Sequence, residues 1–322
     1  MWCVLLFFPP LHKIRPEHSR AHLTDPLGAR VPHAKVSAES VDTGRATTQQ
    51  TTDEGAFRFS SLHVGSYRIR AGAPGFADLE TAAIRLDVGR VQDVPLQLNL
   101  ASATSNQITV GDNAATVDVS PTLGNVISGR EAVDLPLNGR NLTQLGLLQP
   151  GVAPMTFGVL QSGGIKRQGQ AYAVNGLPPE SNNYFLDGVS NLDSVNGGFA
   201  LRTPPDAVSE FRILTSNAPA EYGETDGAIT TVITKSGTNE FHGSLYEFLR
   251  NNNLDARNFF AATTEPLHQN QFGASFGGPL RKNQDFFFGF YEGQRDREGV
   301  TRATIVPTPA QRAEIFLRSP RL

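Results

Sequence analysis

The sequence predicts a mainly β chain in three parts: a small immunoglobulin- or transthyretin-like β-sandwich, a mixed α+β region, and a final region of long alternating strands. Three observations carry this prediction. Short runs of β-branched and alternating residues are separated by Asp, Gly and Pro turns through the first hundred residues. Two capped helical segments then interrupt the strands, one at Ser128 and one at Asn141. Beyond residue 236 aromatic and aliphatic residues alternate with Gly and Ser over runs longer than a usual strand.

At 322 residues there is room for two or three domains. The 31 Gly and 21 Pro exceed their usual share of roughly 12% together, which favours turns over long helices. Net charge is -3 with the charges scattered, so no basic face points to nucleic acid. Lys166 and Arg167 form the densest basic spot in the middle of the chain, and two residues do not make a binding stripe. The single cysteine, Cys3, excludes an intrachain disulfide and a thiolate metal site. His18 and His22 have helix-face spacing, but no third ligand follows at a metal-binding interval. No segment approaches the roughly 18 apolar residues of a membrane helix. The opening MWCVLLFFPP lacks a preceding cation and a small-residue cleavage site, so it is a poor secretory signal. Residues 1–20 are uninformative, and N-terminal sequencing of the native product would decide whether they are its natural start.

Residues 21–100 read as the sandwich. Asp25-Pro26-Leu27-Gly28, Asp42-Thr43-Gly44, Asp53-Glu54-Gly55 and Pro74-Gly75 are turn signals. Between them AKVSAESV, ATTQQTT, AFRF and GSYRIRAGA read as strands, the last with Tyr67 and Ile69 on one face and Arg68 and Arg70 on the other. IRLDVGRVQDVPLQLNL supplies two more, and no strand is recognised before Thr24. Residues 101–113 form a small-residue linker with a strand-capable centre.

Residues 114–235 are the α+β part. Ser128 and Glu131 match a capping box, and Pro136 must end that helix early. Asn138-Gly139 turns the chain. Asn141 caps a second helix, with Gln144 in the reciprocal position, and Leu142, Leu145 and Leu148 form its core-facing stripe. Pro150-Gly151 stops it. AYAVNGL, NYFLDGV, SEFRILTS and AITTVITK follow as strands.

From residue 236, FHGSLYEFL places Phe241, Leu245 and Leu249 opposite His242, Ser244 and Tyr246. In QFGASFGGPL, Phe272, Ala274, Phe276 and Leu280 oppose Gly273, Ser275 and Gly277; in DFFFGFYEG, Phe286, Phe288 and Phe290 oppose Gly289 and Gly293. Each run has about the nine to eleven residues of a tilted membrane strand. The periodicity fits a transmembrane barrel and a soluble sheet with one wet face equally well.

Three other patterns have plainer readings. Gly273-Ala274-Ser275-Phe276-Gly277 matches the G-x-S-x-G elbow of serine hydrolases, but its neighbours alternate like one continuous strand. Asp187, Gly188, Asn191 and Asp193 suggest a calcium loop but lack its bidentate Glu. A surface glycan-binding sandwich is compatible with the composition alone.

The chain resembles the TonB-dependent outer-membrane receptors, in particular the acidobacterial Oar-like type with an N-terminal carboxypeptidase-regulatory-like domain. Thr24 to Ala29, Thr52 to Phe57, Gly65 to Arg68 and Ala73 to Phe76 resemble that domain. LPLNGRNLTQLGLLQPGV (135–152) is similar to the start of the plug in this subgroup, and NGLPPESNNYFLDGV (175–189) to the next plug stretch. Residues 210–248 are like the plug's end and its passage into the barrel; Phe286 to Gly293 and Thr304 to Arg312 continue the match.

The resemblance implies a plug domain over 114–235 and the start of a transmembrane barrel over 236–322. It implies a non-enzymatic receptor without a cofactor, located in the outer membrane with its sandwich in the periplasm. Such a receptor takes up a large nutrient (an iron chelate, a cobalamin or a glycan fragment). Its partners are the TonB energy-coupling protein and outer-membrane lipid, not nucleic acid. The coupling segment normally precedes the plug, which makes Gln107, Ile108, Thr109 and Val110 the candidates. Leu135, Pro136, Leu137, Asn138, Gly139, Arg140 and Asn141 are expected to be structural, with Arg140 and Asn141 shaping the turn and binding no substrate. Plugged barrels close with about 22 strands. The chain is therefore expected to be an N-terminal fragment that does not transport by itself.

Overall fold

The structure is a computed structural model that describes residues 21–60, 62–101, 109–111, 117–118, 123–154, 172–193, 198–223, 226–257, 264, 266–299, 308–309 and 311–312. The uninformative start, Gln107, Ile108 and most of the Thr304–Arg312 match lie outside them.

The first part is built from β1 (Ala21–Thr24), β2 (Lys35–Ser40), β3 (Ala46–Gln50), β4 (Ala56–Phe57), β5 (Gly65–Gly72), β6 (Leu79–Thr81), β7 (Ile84–Leu86), β8 (Gln92–Asp93) and β9 (Leu96–Gln97). One sheet has the order β4-β1-β9, and the other runs β6-β5-β2-β3 with β7 also on β5. Strand β10 (Thr109–Gly111) extends the second sheet beyond β6, parallel to it. Between the sheets Leu23, Phe57 and Leu96 from one pack with Val36, Ile69 and Leu79 from the other. The alternation read in GSYRIRAGA is present: Tyr67, Ile69 and Ala71 are buried while Arg68 and Arg70 face water.

Two expectations change here. A strand does precede the Asp25 turn: β1 buries Leu23 completely and pairs antiparallel with β4 and parallel with β9. Its four residues are too few to show a period, and both its partners are distant in sequence. IRLDVGRVQDVPLQLNL forms three short strands, not two, because the Asp87–Arg90 turn and Pro95 divide it.

The middle part follows β11 (Val117–Asp118), which pairs with β8. It comprises β12 (Leu123–Ser128), α1 (Gly129–Asp134), 3-10 helices at Asn138–Arg140 and Leu142–Leu148, β13 (Val152–Pro154), β14 (Tyr172–Val174), β15 (Asn183–Leu186), β16 (Val189–Ser190), β17 (Leu192–Asp193), β18 (Gly198–Phe199), β19 (Val208–Ser216) and β20 (Ile229–Thr234). Its main sheet has the order β12-β19-β20-β15-β16, with β15 and β20 parallel. Both faces are covered. Phe211, Ile213 and Val232 pack with Leu142, Leu145 and Tyr172 on one side, and Leu214 and Ile229 pack with Tyr222 on the other.

The capping box forms as read: Ser128 accepts from the Glu131 amide while the Glu131 carboxylate accepts from the Ser128 amide at 2.8 Å. Helix α1 ends after six residues at Leu135, whose extended backbone is what the following Pro136 requires. The second helix is 3-10 throughout. Asn141 caps it by accepting from the Thr143 amide, but Gln144 does not complete the box; its amide group instead brackets the backbone of Asn138. Leu148 also departs from expectation. It is 58% exposed, because the helix ends in an extended Gln149 that is itself buried, and Leu147 takes the place against the core.

The last part is β21 (His242–Asn251), β22 (Leu267–Arg281) and β23 (Asp285–Glu298), adjacent in that order. β22 and β23, at 15 and 14 residues, exceed the predicted nine to eleven. Alternation holds on β22, where Gln271, Gly273, Ser275 and Gly277 are buried and Phe276 is exposed. Compactness divides the chain into two units, Met1–Ser244 with Ser275–Phe290, and Leu245–Ala274 with Tyr291–Leu322. In the first unit Phe241 stacks on Phe276, which meets Phe287 at a tilt, while Phe288 lies against His242 on the opposite face. In the second, Tyr246 donates to Glu292 at 2.8 Å, and Arg295 lies over the Phe272 ring.

Candidate functional site

The motif Leu135–Asn141 begins where α1 stops. Leu135 and Leu137 pack against the middle core while Pro136, Asn138 and Gly139 are exposed. Gly139 and Arg140 both have positive φ, 63° and 53°, so the chain reverses within two residues. That reversal aims the Arg140 guanidinium at Asp206, on the 3-10 turn Pro205–Ala207, and the two form an ion pair. The other Asp206 oxygen accepts from the Ser244 hydroxyl of β21 at 3.0 Å, and Ser244 is bonded to Ser275 of β22 at 2.9 Å. Lys235 stands close enough to feel Asp206: burial pulls its ammonium below the usual lysine range, and the carboxylate opposes that shift. Arg140 therefore does more than shape its turn; it anchors a charged network that reaches two of the long strands.

This network has an electrostatic and structural character. Ser275 lies within the continuous strand β22, so the strand-turn-helix of a nucleophile elbow is not formed. Asp187, with φ of 49°, accepts from both the amide and the hydroxyl of Thr234 at 2.8 Å, and Asn191 brackets Leu201. The supposed calcium loop is thus committed to turn formation. Among the described residues no group of three His, Cys, Asp or Glu could hold a metal ion. A cavity of about 10 Å³ beside Asn141, Thr143, Phe199 and Arg202 has room for one water at most.

Of the candidate coupling residues, Thr109 and Val110 lie on β10, opposite Leu79 and Glu80. Gln107 and Ile108 lie outside the described residues.

A second charged site escaped the sequence reading. Glu210 of β19 is fully buried, yet it accepts from the Arg85 guanidinium at 2.6 Å and from the Val88 amide at 2.8 Å. Burial pushes its carboxyl above the usual range, and the Val88 and Arg85 bonds oppose that rise. Two residues along the same face, Arg212 donates to the Val88 carbonyl at 2.9 Å. The Asp87–Arg90 turn of the sandwich is therefore gripped by the middle sheet. The only signal available in the sequence was the pair of charges in SEFRILTS, which reads equally well as a wet strand face.

Comparisons with known proteins agree with this architecture. Residues 20–101 match the carboxypeptidase regulatory-like domain, and residues 233–321 match the outer membrane beta barrel domain. The second match decides between the membrane and soluble readings of the long strands. The chain is homologous to the TonB-dependent transporter Oar of Myxococcus xanthus, 28% identical over 270 residues that cover 79% of this chain and 24% of that protein. It is also similar to the ferrienterobactin receptor of Escherichia coli K12, 27% identical over 151 residues, covering 42% of this chain and 20% of the relative. The chain thus spans about a quarter or less of the length of the curated relatives it matches. Among solved structures, the siderophore receptor PirA of Acinetobacter baumannii aligns with a TM-score of 0.39 at 22% identity, over 53% of this chain and 24% of that one.

Proposed function

We propose, from the premise that this chain is homologous to a TonB-dependent transporter, that it supplies the periplasmic sandwich, the plug and the first wall strands of an outer-membrane receptor. That receptor takes up a large, scarce nutrient such as an iron chelate, a cobalamin or a glycan fragment, and performs no covalent chemistry. The observation that carries the reading is the tie from Arg140 through Asp206 to Ser244, which seats the middle domain against strands of outer-membrane barrel type. A plug must be held in its wall by polar contacts that can be broken, and this one is built from such contacts.

Energy coupling needs a backbone edge on which the TonB protein can add a strand. β10 is the outermost strand of its sheet, with β6 on one side, which suits it to that role. Its flank at Ile108 is the position to test. In the full-length receptor Ile108→Pro removes an amide donor, and uptake of labelled nutrient is expected to fall to the level of a strain lacking TonB. Unchanged uptake would remove this segment from the coupling role. Fractionation tests the location: recovery of the full-length product in the growth medium, and not in the outer membrane, would favour a secreted glycan-binding protein instead.

A further inference from the structure

We infer that the sandwich is a strap, docked at once on the plug and on the turn between β22 and β23, and that the plug is held in its wall until the sandwich lets go. The inference rests on the reading of the middle sheet as a plug and deepens it by naming how release is controlled.

Two separate contacts support it. One is the grip of Glu210 and Arg212 on Val88, described above. The other is at the turn between β2 and β3. There the Asp42 carbonyl accepts from the Asn239 amide at 3.0 Å, and Arg45 donates to the Gln284 carbonyl with its guanidinium 5.9 Å from the Phe286 ring. Asn239 and Asn283 are themselves joined by reciprocal bonds of 2.8 Å, so the receiving surface is stiff before the sandwich meets it.

The chemistry of the two contacts differs in a way that suits a strap. The turn contact is exposed and polar, so its net strength is small. The Glu210 contact is buried and charged, so it is costly to leave half-made. A sandwich held at only one of them could swing away; held at both, its freedom is lost, and each contact raises the effective concentration of the other. A pull on β10 would load this same sandwich, since β10 is hydrogen-bonded along β6. Undocking of the sandwich then precedes movement of the plug.

The test is amide hydrogen exchange on the chain in detergent. Val88 and Asn239 both sit in loops, and among the described residues their amides are bonded across these contacts alone. Both are expected to be protected in the native chain. Arg45→Ala, at an exposed side chain, should lower protection at the distant Val88 amide roughly tenfold or more, with Ile69 and Phe211 unchanged as markers of the two cores. Gly89→Val provides the reciprocal arm. Gly89 has φ of 61° and lies against Arg212, so a side chain there should undock the turn and expose the Asn239 amide. If Gly89→Val also loses Ile69 protection, the sandwich itself has unfolded and the Arg45→Ala result decides. Unprotected Val88 or Asn239 in the native chain, or a response confined to the contact that was altered, would overturn the strap. Exchange requires no TonB and no nutrient, so failure of the uptake reading leaves this result standing.

Discussion

Arg140 is ion-paired with Asp206, and each side chain is only 12% exposed. A pair so nearly dry is worth little compared with an apolar substitute, but breaking it from one side is expensive, about 3–5 kcal/mol in typical cases. The surroundings make the two sides unequal. Asp206 also serves Ser244 and faces Lys235, so Asp206→Asn leaves two cations without their shared counter-charge. Arg140→Met leaves the carboxylate with Ser244 and Lys235. Urea unfolding followed by circular dichroism is therefore expected to show a larger loss for Asp206→Asn than for Arg140→Met. The double variant should lose less than the sum. Additive losses would mean that the pair contributes nothing as a pair.

The second helix offers a sharp contrast within one leucine stripe. Leu145 is fully buried against Tyr172 and Phe211, whereas Leu148 is 58% exposed. Leu145→Ala should cost about 2–5 kcal/mol, the usual range for a core leucine. Leu148→Ala should stay within about 0.5 kcal/mol, as surface substitutions do. Equal losses in a denaturant titration would show that the helix end packs differently.

Tyrosine ionisation should register the middle core directly. Tyr184 is pushed up to about 12, first by burial, and burial likewise raises Tyr172 well above the ordinary tyrosine value. Raised folded values bind the proton more tightly in the native state. The stability they contribute is therefore complete below the ordinary tyrosine value and is lost as pH climbs through about 12. A spectrophotometric titration should show the two buried phenols ionising only together with unfolding. Tyr184→Phe should lessen the alkaline sensitivity, and a titration in which Tyr172 and Tyr184 ionise near pH 10 without unfolding would contradict the burial.

Period and turn chemistry made much of the fold legible. Tyr67 and Ile69 against Arg68 and Arg70 betrayed a strand with one wet face, Gly55 marked a turn it enters at φ of 67°, and Ser128 with Glu131 marked the start of α1. What stayed hidden depends on partners remote in the chain. β1 is a strand because β4 and β9 flank it. Glu210 is buried because Arg85 and Val88, more than 120 residues earlier, complete its bonds. A carboxylate in a strand carries no local sign that it faces another domain. In the same way, Arg140 could be read as a turn residue, since nothing in its neighbourhood mentions Asp206.

The faces of the long strands give a final and more demanding test. Ser244 bonds to Asp206, and along a strand the side chains that alternate with it lie on the other face. Leu245 is 88% exposed and Phe241 67%, and Phe241 shares its side with Phe276 and Phe287. If that side meets lipid, a charge there costs about 2–4 kcal/mol at mid-membrane and almost nothing near the headgroups. Leu245→Arg in the full-length receptor should therefore reduce the membrane-inserted, protease-resistant fraction. Phe241→Arg, two strand repeats away and itself one of the stacked aromatic rings, should reduce it less, because such rings mark the interface rather than the centre. Ser244→Ala loses its hydrogen bonds to Asp206 and Ser275, about 1 kcal/mol each, and should insert normally. Normal insertion of Leu245→Arg alongside defective insertion of Ser244→Ala would reverse the assignment of the two faces.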